Sequence, residues 1–199
     1  MKHAKKNRAM ISSAVLAIVA TAAVACSSLS GTTANTSSTS SAPGKAAPAS
    51  LTDSQVNSLL QSGLKQADKK NWSAATTSFQ KVLAINPSNL YANYDLGWIS
   101  QSTGNSSKAL SYYNKALAAN AAYTPAMYNE AILLESTHPQ QAVAVYQKIV
   151  SINPKASSAY LRMAVVEAEQ GNITEAKAND AKAISIDPAL SKYKLPAKN

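Results

Sequence analysis

Few side chains in this sequence are able to make or break bonds. There are two histidines, His3 near the start and His138 beside Pro139, and one cysteine, Cys26. A zinc site needs several Cys or His ligands, and a nucleophile needs an activating base. Neither can be assembled from one histidine downstream of the only cysteine. Glu167 and Glu169 are two apart, which turns them to different faces of a helix, and they read as solvated carboxylates. No Gly-rich phosphate loop is present. The residues suited to contact are of another kind. Tyr91, Tyr94, Trp98 and Gln101 are spaced three, four and three apart, one stripe along a helix. Side chains with an apolar body and a polar tip suit a protein interface. The residues thus predict a binding protein rather than an enzyme, with no cofactor and no metal.

The elements that would position this stripe recur with a fixed period. Ala75, Ala109, Ala142 and Ala176 sit at spacings of 34, 33 and 34. Gly63, Gly97, Ala131 and Ala164 precede them by twelve residues, or eleven in the third unit. Phe79, Tyr113, Tyr146 and Asp180 follow them by four. Asn86-Pro87, Asn120-Ala121, Asn153-Pro154 and Asp187-Pro188 close the units. Pro pushes the residue before it out of the α region and suits the first turn of the next helix. Two antiparallel helices need small residues where their backbones meet, and the bulky residue four later can fill the space against a neighbour. Helices are expected near 53–69, 72–85, 88–102, 106–119, 123–136, 139–151, 156–169 and 173–186. The first opens on a capping box, Thr52-x-x-Gln55. Tight turns are expected at Lys70, Gly104, His138 and Gly171. Period-2 alternation is absent, so the class is all-α.

These columns resemble the tetratricopeptide repeat, a 34-residue helix–turn–helix unit. The match is best at Leu96-Gly97, Gly104, Ala109, Tyr113 and Ala116, and good at Gly63, Trp72, Ala75, Phe79, Val82 and Pro87. The resemblance implies a right-handed α-solenoid of four repeats, about 56–89, 90–123, 124–156 and 157–190, within a domain spanning 51–190 and followed by a tail at 191–199. It also implies that the first helix of each unit lines an inner groove. The groove positions are then Tyr91, Tyr94, Trp98 and Gln101, with Leu60 and Leu64, Tyr128 and Ile132, and Leu161 and Val165. The competing reading is that some of these aromatics pack between helices. A family subclass clamps peptide carboxylates with Lys and Asn where this chain has Leu60 and Leu64, so an apolar segment is the expected ligand. The deletion in the third unit should shorten its turn near His138. Asp180 replaces the aromatic of its column and is expected to face solvent at the end of the array.

The opening residues predict export. Lys2, Lys5, Lys6 and Arg8 precede an uncharged apolar run from Ala9 to Ala25, short for a membrane span, so residues 1–25 read as a signal peptide. Cys26 after Ala23-Val24-Ala25 resembles the lipobox of bacterial lipoproteins, which implies a lipid on Cys26 and an anchor on the extracytoplasmic face of a membrane. Ala23 departs from the preferred Leu, and Ala-Val-Ala also suits ordinary signal peptidase, which would give a soluble secreted or periplasmic protein. Residues 26–50, mostly Ser, Thr, Ala, Gly and Pro, lack the apolar surface to order themselves and read as a tether, with a reach of about 25–30 Å as a coil. Of nineteen Lys and Arg, four lie in the leader, leaving fifteen against ten acidic residues. That mild excess is scattered, whereas nucleic-acid binding wants a dense basic stripe. The expected function is a tethered adaptor that holds a protein or peptide partner in the groove. The alternative is an assembly factor for a secretion, pilus or cell-wall machine, acting through the convex face or ends. A weaker reading is carbohydrate contact through Trp98 and the tyrosines.

Overall fold

The computed structural model describes residues 52–196; the expected signal peptide, Cys26 and the expected tether lie outside the described residues. Eight helices follow one another, with no strand among the described residues: α1 (Asp53–Asp68), α2 (Trp72–Ile85), α3 (Leu90–Ser102), α4 (Ser106–Ala119), α5 (Thr124–Leu134), α6 (Pro139–Ile152), α7 (Ser157–Gln170) and α8 (Ile173–Ile186). A short 3-10 helix, Pro188–Lys192, comes last. Each helix packs mainly on its neighbours in the chain. This is an all-α solenoid of helix pairs, as the period predicts.

Local chemistry sets the boundaries. Thr52 Oγ1 accepts from the Gln55 amide at 3.3 Å while Gln55 Oε1 accepts from the Thr52 amide at 2.8 Å, completing the capping box. Asn89 and Asn105 cap α3 and α4 by accepting from the Ala92 and Lys108 amides at 2.9 and 3.1 Å. At the close of every unit the Asn or Asp side chain accepts from the amide two residues on: Asn86 from Ser88, Asn120 from Ala122, Asn153 from Lys155 and Asp187 from Ala189, at 3.0–3.1 Å. These Asx turns explain why the position is kept at Asn120, where no Pro follows. Within the units, Lys70, Gly104 and Gly171 take positive φ of 58°, 82° and 86°. Glycine does so freely, whereas Lys70 carries the steric cost of a Cβ in the left-handed region.

The small-residue column is where the helix pairs are tightest. A Cβ placed on Gly63 would lie 2.6 Å from the Phe79 ring, and one on Gly97 would lie 2.5 Å from the Tyr113 ring. Phe79, Tyr113 and Tyr146 are fully buried, as are Ala75, Ala109 and Ala142. Apolar clusters form in succession along the chain. One joins α1 to α3, the next α3 to α5, and the last runs from α5 to Leu190, Tyr193 and Leu195.

Three expectations change. The deletion in the third unit shortens the helix, not the turn. Helix α5 has 11 residues against 13 in α3, while four residues, 135–138, still join α5 to α6. The chain keeps the turn that reverses its direction and gives up helix length instead, and His138 stays outside the left-handed region with φ −139°. Asp180 does not face open solvent. It is half-buried, its Oδ1 lacks a hydrogen-bond partner, and burial raises its pKa against the opposing pull of Lys194. The segment after α8 folds back, burying Leu190 and half-covering Tyr193 and Leu195. Glu167 is likewise buried, its Oε2 accepting from Asn179 Nδ2 at 2.8 Å.

Gly97→Ala is expected to destabilise the array by about 1–3 kcal/mol, because Tyr113 has no free space to move into. The thermal melt of the full-length chain reads this. An unchanged melting temperature would mean the two helices have room for a methyl group.

Candidate functional site

The stripe on α3 meets a second tyrosine source in the loop before α5. Tyr91 is 55% exposed, the most open large apolar side chain among the described residues. Its ring stands edge-on to Tyr123, with centroids 6.2 Å apart. Tyr123 is also edge-on to Tyr94 at 5.3 Å, and Tyr94 leans against Tyr113 at 6.0 Å. Edge-to-face and tilted pairs at such distances are attractive for aromatic quadrupoles. Tyr113 donates its hydroxyl to Gln101 Oε1 at 2.7 Å, and Asn129 Nδ2 donates to Tyr94 Oη at 3.4 Å. Tyr91, Tyr94 and Gln101 thus join one cluster with Tyr123, which the helical spacing alone did not include.

The other expected groove residues divide. Trp98 is half-buried and edge-on to Trp72 at 5.5 Å, so it packs between α3 and α2 while keeping part of its surface open. Leu64 is 38% exposed, and Leu60 and Ile132 are half-buried against the core. Tyr128, Leu161 and Val165 are buried and do not line an open surface. For Leu161 and Val165 the reason is local, since the α7 residues from Leu161 to Ala168 are all buried, while Tyr128 on α5 packs edge-on to Tyr146 at 5.6 Å.

That enclosure includes charge. Arg162 on α7 and Glu135 after α5 are both buried and form an ion pair. Arg162 Nε donates to Glu135 Oε1 at 2.7 Å, and Tyr146 Oη donates to the same oxygen at 2.7 Å. Burial disfavours the charged guanidinium, but Glu135 outweighs it and the Arg162 pKa is raised. Sequence reasoning missed this pair. Arg162 is the only arginine after Arg8, on an otherwise apolar stretch, and that was the available signal.

Asp95 is the opposite case. It is half-buried on α3, and no residue of the described structure pairs with its carboxylate by hydrogen bond or ion pair. Burial pushes its pKa up to about 7. Burial and then the nearby Asp95 charge push Tyr94 up to about 12. Tyr113 and Tyr123 are raised too, first by burial, with Tyr94 and Asp95 contributing.

Two cavities flank the array rather than this cluster. One of about 430 Å³ lies between α2 and α4, lined by Trp72, Thr76, Gln80, Leu96, Lys108 and Tyr112 among others. One of about 510 Å³ lies near Leu59 and Ile85. No group of three or more His, Cys, Asp or Glu among the described residues is placed to hold a metal. None of the described helices is long and apolar enough to cross a membrane.

With this geometry in place, likeness to known proteins becomes informative. The tetratricopeptide repeat profile matches residues 90–123, the unit that carries the tyrosine cluster. No curated protein matches the chain. Among solved structures, MamA is 25% identical with a TM-score of 0.63, over 71% of this chain and 84% of MamA. PilF from Pseudomonas aeruginosa is 21% identical with a TM-score of 0.63, over 70% of this chain and 65% of its own. YrrB, a TPR protein with an unusual peptide-binding site, is 23% identical with a TM-score of 0.60, over 70% of this chain and 74% of its own. The chain has the tetratricopeptide solenoid fold, the fold of a protein–protein interaction module.

Asp95 has a consequence for stability. Its folded pKa of about 7 stands above the ordinary 3.8, so its charged form opposes folding above pH 7. That cost fades as pH falls through 7 and is lost below about 4, where the carboxyl becomes neutral in the unfolded state too. Asp95→Asn is therefore expected to raise stability at pH 8 by about 1 kcal/mol, since solvent reaching this half-buried group screens most of the full effect, or about 2–4 °C in melting temperature. At pH 5 the gain should fall to less than half, and below about pH 4 it should vanish. Glu130, Glu167 and Asp180 also have raised pKa values, but both proteins share them. Equal melting temperatures at pH 8 would show that Asp95 is solvated or paired.

Proposed function

We propose that this protein is a non-enzymatic adaptor tethered to the bacterial cell envelope, which binds a segment of a partner protein along the Tyr91–Tyr94–Trp98 stripe. One observation carries the reading: Tyr91 stays 55% exposed while Tyr123, itself edge-on to Tyr94, ties it into an aromatic cluster. A rigid, half-desolvated aromatic surface loses little entropy on binding and buries much area, the properties of an interface hot spot. The shared fold with YrrB is compatible with a peptide ligand. The tether of residues 26–50 and a lipid on Cys26 would hold the array near a membrane surface.

A second reading has its own support. The cavity lined by α2, α3 and α4 does not include Tyr91, Tyr94 or Tyr123, and exposed Lys108 and half-buried Tyr112 form part of its wall. An assembly factor that contacts a larger machine through that face would use this furrow and leave the tyrosines idle.

Tyr91→Ala separates the two. Tyr91 projects from the packed core, so helical content should be kept. Binding to a partner recovered from membranes should weaken by about 2 kcal/mol, or roughly thirtyfold. Normal binding by the folded variant would move the assembly reading ahead.

The anchor is tested independently. Cys26→Ser should shift the protein from the membrane fraction to the soluble or secreted one, since a multiply acylated cysteine anchors stably where a single chain does not. Mass spectrometry showing an unmodified Cys26, or an uncleaved leader, would overturn it.

A further inference from the structure

The second and third repeats carry the same framework with one exchange of charge. Tyr94, Gln101 and Tyr113 in the second unit align with Tyr128, Glu135 and Tyr146 in the third. In the third unit a cation completes the group. Arg162 pairs with Glu135 and lies within electrostatic reach of Tyr128 and Tyr146. In the second unit Asn129 stands where Arg162 would, and no cation is supplied. A carboxylate is nevertheless present, since Asp95 lies within electrostatic reach of Tyr94, Tyr113 and Tyr123 and has no partner in the described structure. Taking a carboxylate out of water without a partner is unfavourable, and a pairing cation relieves the cost. The tyrosine faces beside it attract cations through their quadrupoles. Tyr91, one helical turn before Asp95 and edge-on to Tyr123, is 55% exposed.

We propose that Asp95 and the neighbouring ring cluster of Tyr91, Tyr94 and Tyr123 form a surface subsite for a lysine or arginine side chain of the bound segment. This rests on the reading of the stripe as the binding surface and names the chemistry that the stripe selects. The segment is then apolar with one cationic residue, rather than apolar throughout. Asp95 supplies the counter-charge, and the tyrosines form the walls.

Acetyl-Leu-Arg-Leu-amide and its citrulline counterpart test the subsite. Citrulline keeps the shape of arginine and removes the charge. Each is titrated into the full-length chain carrying isotope-labelled tyrosine, and the ring resonances of Tyr91, Tyr94 and Tyr123 are followed by NMR. The arginine peptide is expected to shift these signals with about tenfold higher affinity than the citrulline peptide, the scale of a charge-assisted contact. The preference should disappear in Asp95→Asn. The comparison on the wild-type chain stands alone if that variant folds poorly. Equal binding of the two peptides at these tyrosines would overturn the cationic subsite and leave the binding stripe intact. No shift of these tyrosines with either peptide would overturn both.

Discussion

The closeness of paired helix backbones is the constraint on which the rest of this structure depends. At Gly63 and Gly97 there is no room for a methyl group before the ring of Phe79 or Tyr113 is met. The rings are therefore fixed as firmly as the helices. A fixed Tyr113 can hold Gln101 through its hydroxyl and support Tyr94 through its ring face. Tyr94 in turn supports Tyr123, and Tyr123 supports Tyr91. The route from sequence to surface thus runs through one missing side chain. Glycine at 97 sets the helix spacing, the spacing sets a ring, and that ring begins the chain of contacts ending at an exposed tyrosine.

Charge is handled in two ways along the same array. Glu135 and Arg162 are removed from water together, with Tyr146 as a further donor. Such a pair contributes modest net stability, yet loss of one partner strands the other at a cost of about 3–5 kcal/mol. Its effect is to fix how α7 seats on the third repeat. Asp95 is removed from water only in part and alone, so the fold carries its cost in the isolated chain. A carboxylate that costs stability and is left without a partner is a site where another molecule can return the cost.

The helices were legible in the sequence because one period governs all four units. Small residues, turn positions and closing Asn or Asp recur at the same offsets, so each weak signal is supported four times. The site was legible only where spacing on one helix decides it, as for Tyr91 and Tyr94. Tyr123 enters from a loop, where helical periodicity says nothing. Tyr128 and Leu161 occupy groove columns of the repeat but are buried, because column position reports direction from the helix axis and not what lies across from it. Glu135 and Arg162 are 27 residues apart in different repeats, and no local pattern links them. Glu167 and Asp180 looked solvated because they are charged, yet Asn179 meets the first and the returning tail half-covers the second. The shortened helix in the third unit follows from a choice between turn and helix that a deletion alone does not settle.

Repeat arrays make such divergence inexpensive. Each unit interacts mainly with its neighbours, so the face between two repeats can change without disturbing the next. Here the same tyrosine framework is closed by Arg162 at one junction and left open at Asn129 one repeat earlier. The closed junction lies within the longest apolar cluster, continuous with Leu190 and Tyr193. The open one lies in the smallest, where Tyr94 and Tyr123 are half-exposed around a core of four buried residues. The second half of the array thus keeps its tyrosines and its ion pair inside one continuous cluster, while the first half keeps its aromatic surface and its carboxylate available. That division follows from which side chain occupies a single column in successive repeats: Arg162 satisfies its carboxylate internally, and Asn129 cannot.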